Sequence, residues 1–348
     1  MNQEKITNRP TIFAASGFYL LAAIGLWATL YGGELLLGLL PRGTYEQQNL
    51  LVNIVYYLPF VVLPVSLWCV SRGSAADDLR LNPISFGSMF TACIVAVLSL
   101  LIVQNVSTLW MAICQKLGLN VFVDTYVRPE STAELTRSVI AGAMIAPIAE
   151  EILFRGVMLS AWEKRGVRRA VLVTSVLFAM LHGSLLGLPG EIFGGIMLAL
   201  LVVWTDSLYA GLAFHTVYNA GAIMMNYLTS AIPEDAAAEA LMQSDIIAYM
   251  GGYGTVLVLL VDILFMLALI AMFTRRMRLR YAFRRMLLAS QNKDGGAPKQ
   301  LFHPGQLFGE PQNIDREPLP AGTLLVLMAG IVSAVGMYAL DLINMLGG

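Results

Sequence analysis

Long apolar runs dominate the chain, and charged residues lie mainly between them. Most of these runs are near or above the roughly 20 apolar residues that a helix needs to cross the hydrocarbon core of a bilayer. They predict apolar helices at about 12–39, 50–70, 86–115, 136–162, 169–182, 190–205, 208–229, 250–273 and 320–345. The expected fold class is an all-α, polytopic integral membrane bundle of about eight or nine transmembrane helices.

Composition supports the membrane assignment. Hydrophobic residues make up 57% of the 348 positions and charged residues only 13%, whereas soluble domains carry about 25% charged residues. The formal net charge is -1, so nothing indicates a nucleic-acid partner. Cys69, Cys93 and Cys114 stand singly in apolar runs, which argues against a disulfide framework or a cysteine-based zinc site.

Basic residues predict the orientation, because cytoplasmic loops are enriched in Lys and Arg. If the predicted helices alternate, the basic residues near 5–9, 72–80, 164–169 and 275–285 all fall on the same side of the membrane. The N-terminus is therefore predicted to be cytoplasmic. For a bacterial protein the location would be the plasma (inner) membrane.

We divide the chain into three parts: N-terminal transmembrane helices at 1–129, a core with polar motifs at 130–230, and C-terminal helices at 231–348. The last part contains a basic segment, 274–319, whose arginines are expected to face anionic lipid headgroups or to act only as a topology signal. These arginines are Arg275, Arg276, Arg278, Arg280, Arg284 and Arg285.

An acid pair interrupts the fourth predicted helix. Glu151 and Arg155 are four residues apart in the favourable order, so they are expected to form a structural ion pair on one helix face. Glu150 is turned from Glu151 by about 100°, which leaves its carboxylate free for proton transfer. Pro147 removes one helical hydrogen bond and is expected to open the backbone beside the acid pair.

Two later helices carry polar motifs of their own. Phe178 and His182 are four residues apart, as are His215 and Asn219, and the last two share a helix face. At 1.5 Å per residue, Glu150 and these His and Asn side chains lie about 14–21 Å from the predicted cytoplasmic edge. They are therefore expected to meet near the middle of the bilayer.

Such a cluster suits the activation of water for peptide-bond hydrolysis. A carboxylate can accept the proton of water, and His and Asn donors can stabilise the developing oxyanion. The alternative is zinc held by Glu150, His182 and His215, because two histidines and one carboxylate form a known catalytic zinc set. The chain has no HExxH motif, however.

Together, Glu150-Glu151-x3-Arg155, Phe178-x3-His182 and His215-x3-Asn219 resemble the three motifs of the CPBP family of intramembrane proteases. This family includes the type II CAAX prenyl endopeptidases and the lysostaphin-resistance-protein-A-like and Abi proteins. The resemblance covers roughly residues 130–230 and implies a CPBP-like catalytic core there.

The resemblance also implies roles for individual residues. Glu150 would be the general base, with His182 helping to activate the water. His215 and Asn219 would form the oxyanion site. The family was formerly classed with the metalloproteases, but a glutamate mechanism without a cofactor is expected here. The partner would be a peptide or protein substrate, which in this family includes lipidated CAAX proteins.

Two other functions remain open at this stage. Intramembrane Glu, Arg and His residues could form the relay of a proton- or ion-coupled transporter, although the internal repeat of many transporters is not visible. A catalytically idle membrane scaffold or immunity protein could carry the same motifs. Only the loss of activity on changing Glu150 separates that reading from an enzyme.

Overall fold

A computed structural model describes residues 10–39, 54–72, 75–121, 129–229, 247, 251–291 and 318–347. Their regular structure is helical, and they contain no strand. The helices, numbered in chain order, are α1 (Ile12–Leu39), α2 (Ile54–Ser71), α3 (Ala75–Asp78), α4 (Phe86–Lys116), α5 (132–162), α6 (Val167–Met180), α7 (Leu188–Thr205), α8 (Leu208–Thr229), α9 (Tyr253–Phe273), α10 (Arg275–Gln291) and α11 (Ala321–Gly347).

All nine predicted apolar helices are present, and within the described residues their ends differ from the predicted ends by a few residues. Positions 50–53 of the second predicted helix and position 250 of the eighth lie outside the described residues. Within the described ranges, six helices are long and apolar enough to cross a membrane: α1, α2, α4, α7, α9 and α11. The expected number of eight or nine crossings is therefore not confirmed. The remaining three of the nine predicted helices, α5, α6 and α8, carry the polar motifs, and α6 has only 14 residues.

Local sequence explains where key helices begin. Ser131 caps α5 by accepting a hydrogen bond from the Glu134 backbone N–H at 3.2 Å, and the Glu134 carboxylate accepts from the Glu130 N–H at 2.7 Å. This is close to the capping-box pattern of Ser and Glu three residues apart. Helix α7 has Pro189 in its first turn, where a missing N–H costs nothing.

Helices α1, α2 and α6–α8 pack on α5, which carries the acid pair. Helix α6 lies against α7, α8 lies against α4 and α5, and α11 runs along α1. One contiguous core of buried apolar side chains extends through α1, α2 and α4–α8. Helix α9 packs mainly on α4 and exposes most of its apolar side chains.

A buried polar cluster ties the helices together at one end of the bundle. Arg80 is only 4% exposed and pairs with Glu163 at 2.6 Å, while its Nε donates to Ser160 Oγ at 3.1 Å. Burial disfavours the charge of Arg80, but the carboxylates of Glu163 and Asp206 outweigh this and raise the pKa of the guanidinium. Arg80, which the sequence analysis treats only as a loop charge, thus joins α5 to the turn before α8.

The basic helix α10 reaches the same cluster. Arg284 donates to Asp206 Oδ2 at 3.4 Å, and Asp206 ends α7 in a left-handed conformation with φ of 57°. Residues 292–317 of the predicted basic segment lie outside the described residues.

Candidate active site

The acid pair occupies a short α-helical stretch between two π-helical stretches, Val139–Ile145 and Ile152–Met158. The Ala146 N–H bonds to the carbonyl of Ala141, five residues earlier. In this register Pro147 would bond to the carbonyl of Gly142, but it has no N–H. Asn219 Nδ2 donates to that carbonyl instead, at 2.7 Å. Irregular helical turns of this kind are frequent at functional sites.

Glu151 is the fully buried member of the acid pair. Its Oε1 lies 3.0 Å from Arg155 Nη1 and 3.0 Å from His215 Nδ1. Helix α8 comes so close because it has glycine at position 211, where a Cβ would lie 2.5 Å from Glu151 Oε2. Glu151 therefore contacts the His215 imidazole as well as the guanidinium, a contact that the sequence analysis did not include.

Arg155 is held on three sides. Besides Glu151, its Nη2 donates to the Gly195 carbonyl at 3.2 Å, and its guanidinium carbon lies 4.3 Å from the Phe178 ring centre. The Phe178 ring also contacts both motif histidines, with ring centres 4.7 Å from His182 and 5.8 Å from His215. Phe178 thus packs between the charged pair and the two imidazoles.

Glu150 faces away from Arg155 towards other partners. Its Oε2 lies 3.6 Å from His215 Nε2, and its Oε1 accepts a hydrogen bond from Tyr57 Oη at 2.5 Å. His215 therefore lies between the two carboxylates, with Nδ1 on Glu151 and Nε2 towards Glu150. This arrangement leaves Glu150 outside the buried ion pair.

His182 follows the last turn of α6. Its Nδ1 lies 3.0 Å from the Phe178 carbonyl, and because a carbonyl only accepts, Nδ1 carries the proton in this contact. The other nitrogen, Nε2, lies 3.5 Å from Glu191 Oε2 on α7. Helix α11 supports this region, since Tyr338 Oη donates to the Ala179 carbonyl at 2.8 Å.

A small cavity of about 70 Å³ adjoins Glu150 and His182. A cavity of this size has room for water, and the carboxylate and imidazole on its wall are polar partners for it. Apart from the carboxylate, the imidazole and two phenols, its walls are apolar; they are formed by Leu26, Tyr56, Tyr57, Val61, Glu150, Leu153, Phe154, Leu181 and His182. His215 and Asn219 are not among the residues that line it.

Residues 132–221 match the family model described as type II CAAX prenyl endopeptidase Rce1-like. The match supports the resemblance of these residues to the CPBP family. The match lies within the segment 130–230 and includes all the motif residues named above. No curated protein and no solved structure matches the chain. With a domain from a family of membrane proteases and its apolar helices, the chain is a multi-pass membrane protein.

Two polar residues near the CPBP motif residues were missed by the sequence analysis. Tyr57 lies outside the matched range, on α2, and Glu191 lies inside it, at the start of α7. The sequence holds a signal for each: Tyr56-Tyr57 is a phenol pair in an apolar run, and Glu191 is a carboxylate inside a predicted apolar helix. Neither signal names the partner.

The zinc alternative requires Glu150, His182 and His215 to converge on one point. Within the described ranges, no group of three or more His, Cys, Asp or Glu side chains is arranged to hold a metal ion. His182 presents Nε2 to Glu191 instead of Glu150. The donors as placed do not fit a zinc site.

Proposed function

We propose that the chain is an intramembrane endopeptidase in which Glu150 activates water to hydrolyse a peptide bond. The observation that carries this proposal is the position of the Glu150 carboxylate: it borders a cavity of water size and lies outside the buried Glu151–Arg155 pair. The CPBP match to residues 132–221 supports the same reaction class.

Glu150 would act as the general base. A carboxylate has about four lone-pair positions, and the contacts with Tyr57 and His215 leave room for a water on the cavity side. The water oxygen would add to the carbonyl carbon of the substrate while its proton passes to Glu150. Glu150 would then give a proton to the leaving amine as the C–N bond breaks.

Glu151 and Arg155 would orient His215. The Nδ1–H of His215 is directed at Glu151 Oε1, so donation to an oxyanion requires a second proton on Nε2. With both nitrogens protonated, the ring would lie between the carboxylates of Glu151 and Glu150. Its Nε2–H would then be available to the developing oxyanion.

Asn219 would supply the second oxyanion donor. One N–H of its amide is used by the Gly142 carbonyl, and an amide nitrogen carries two N–H groups. The second N–H would remain for substrate. Asn219 would therefore donate one hydrogen bond to the Gly142 carbonyl left without an N–H by Pro147, and one to the developing oxyanion.

His182 would orient the water from the other side of the cavity. Its ring is fixed by the Phe178 carbonyl and by the contact with the Phe178 ring. The substrate would be a peptide or protein that reaches the site from the membrane or its cytoplasmic face, with the N-terminus of the enzyme on the cytoplasmic side. Lipidated CAAX proteins are one such class, and the exposed arginines of α10, Arg275, Arg276 and Arg280, would face anionic headgroups.

The test is cleavage of a membrane-peptide library by the purified protein in liposomes, with mass spectrometry of the products. Wild type should cleave with or without a strong chelator, and Glu150→Gln should fold but lose cleavage at least 100-fold, about the lower end of what general-base catalysis contributes. Glu134→Gln is the matched control, because this partly exposed carboxylate lies on the same helix, 16 residues before Glu150, and does not line the cavity.

Equal cleavage by Glu150→Gln and wild type would exclude Glu150 as the base. Cleavage that the chelator abolishes and added zinc restores would favour the metal alternative. If wild type cleaves no peptide, the result would favour the transporter or scaffold alternatives.

A further inference from the structure

Tyr57 contacts Glu150 from a helix outside the family match. Its Oη donates to Glu150 Oε1 at 2.5 Å, across 93 positions of the chain. Both side chains line the same cavity. The contact therefore joins α2 directly to the proposed general base.

The two oxygens of the Glu150 carboxylate have different contacts. Oε1 accepts from Tyr57, while Oε2 faces His215 Nε2 at 3.6 Å. The last torsion angle of a glutamate side chain is broad, so packing alone does not fix which oxygen points where. A phenol held on Oε1 does fix it, and it keeps Oε2 on the side of His215.

The backbone of α2 is irregular at this point. A π-helical turn, Leu58–Val62, begins directly after Tyr57, and the Leu63 N–H bonds to the Leu58 carbonyl five residues earlier. The Tyr57 ring also packs on the Tyr56 ring, with centres 4.6 Å apart. The phenol thus projects from a defined position and not from a freely rotating side chain.

We propose that Tyr57 is a positioning residue that holds the Glu150 carboxylate in the orientation needed to accept a proton from water. The proposal rests on the proposed function of Glu150. It assigns a part of the reaction to a residue outside 132–221, on an N-terminal helix of the bundle.

The test compares Tyr57→Phe with wild type in the cleavage assay. Loss of a hydrogen bond to a charged group corresponds to a rate loss of about 10- to 100-fold. We expect this loss in kcat, with KM changed less than about twofold, because Tyr57 acts through Glu150 and not through the substrate. Tyr19→Phe is the matched control, since Tyr19 is a buried tyrosine whose Oη has no hydrogen-bond partner among the described residues.

A second readout does not require cleavage. Infrared difference spectra of each protein against the same protein with Glu150→Gln isolate the carboxyl bands of Glu150. These bands should shift in Tyr57→Phe and not in Tyr19→Phe, because only the first variant removes a hydrogen bond to Glu150.

A kcat near that of wild type together with unshifted bands would overturn the proposal while leaving the protease function intact. If wild type cleaves no peptide, the protease function fails, and the infrared bands alone decide the contact: a shift retains Tyr57 as the partner of Glu150, and no shift rejects it. Unfolding temperatures of both variants close to wild type exclude misfolding as the cause.

Discussion

Glu151→Gln is the sharpest test of the charges beneath the site. Glu151 is 0% exposed and Arg155 is 1% exposed, and the Glu151 carboxylate lies 3.0 Å from the guanidinium and 3.0 Å from the His215 imidazole. The amide of glutamine keeps the shape but removes the charge. Arg155 would then lose the carboxylate that contacts it directly, and Glu150 and Glu191 would act on it only from farther away.

Breaking a buried ion pair in this way costs about 3–5 kcal/mol. Solvent does not reduce this figure, because both side chains are fully buried. Arg155 retains the Gly195 carbonyl and the face of Phe178, and such a cation–π contact is worth up to about 2 kcal/mol when desolvated. We therefore expect a loss near the lower end, about 3 kcal/mol.

The assay is denaturant unfolding in detergent micelles, read as a change of midpoint at constant slope. Arg155→Met and the double variant complete a mutant cycle, and the double variant should be more stable than the sum of the single changes implies. Glu134→Gln, a partly exposed change on the same helix whose amide oxygen can still accept from the Glu130 N–H, should cost less than about 1 kcal/mol. A loss below about 1 kcal/mol for Glu151→Gln would refute the reasoning.

Two further changes probe helix contacts around the site. Gly211→Ala should destabilise the protein by about 1–3 kcal/mol, because the new Cβ would overlap Glu151. Its control is Gly194→Ala, where a Cβ meets nothing within 4 Å, so this change should be neutral or slightly stabilising. Equal unfolding midpoints for the two variants would contradict the overlap. Asn105→Leu removes the 2.6 Å hydrogen bond to Asp262 that joins α4 to α9. The free energy of unfolding should fall by about 0.6–2 kcal/mol, and amide hydrogen exchange in α9 should become faster. An unchanged exchange rate would contradict this prediction.

The apolar runs along the chain predicted the helices well, because a single apolar segment in lipid must be helical to satisfy its backbone hydrogen bonds. The different contacts of Glu150 and Glu151 also follow from their positions on the helix. Glu151 and Arg155 share a helix face, and Glu150 cannot join them. In the structure Glu151 contacts Arg155, while Glu150 faces the cavity.

Contacts between helices could not be derived in the same way. Helical spacing tells which residues of one helix share a face, but not which helix that face meets. The contacts of Glu151 with His215, of Asn219 with Gly142 and of His182 with Glu191 all depend on how helices pack. The approximate depth of each residue was consistent with many such pairings.

Tyr57 shows the same limit more clearly. A tyrosine in an apolar span usually indicates packing or an interfacial position, and no residue near it in the chain points to Glu150. Only the packing of α2 against α5 brings the phenol to the carboxylate.

The central claim is that Glu150 activates water and does not itself attack the substrate. Single-turnover cleavage in water enriched in oxygen-18 tests it most directly, with mass spectrometry of both the product and the Glu150 peptide of the enzyme. The account predicts one labelled oxygen in the new C-terminal carboxylate of the product, no label in Glu150, and no product from Glu150→Gln. Label in the Glu150 carboxylate after one turnover, or labelled product from Glu150→Gln at the wild-type rate, would contradict it.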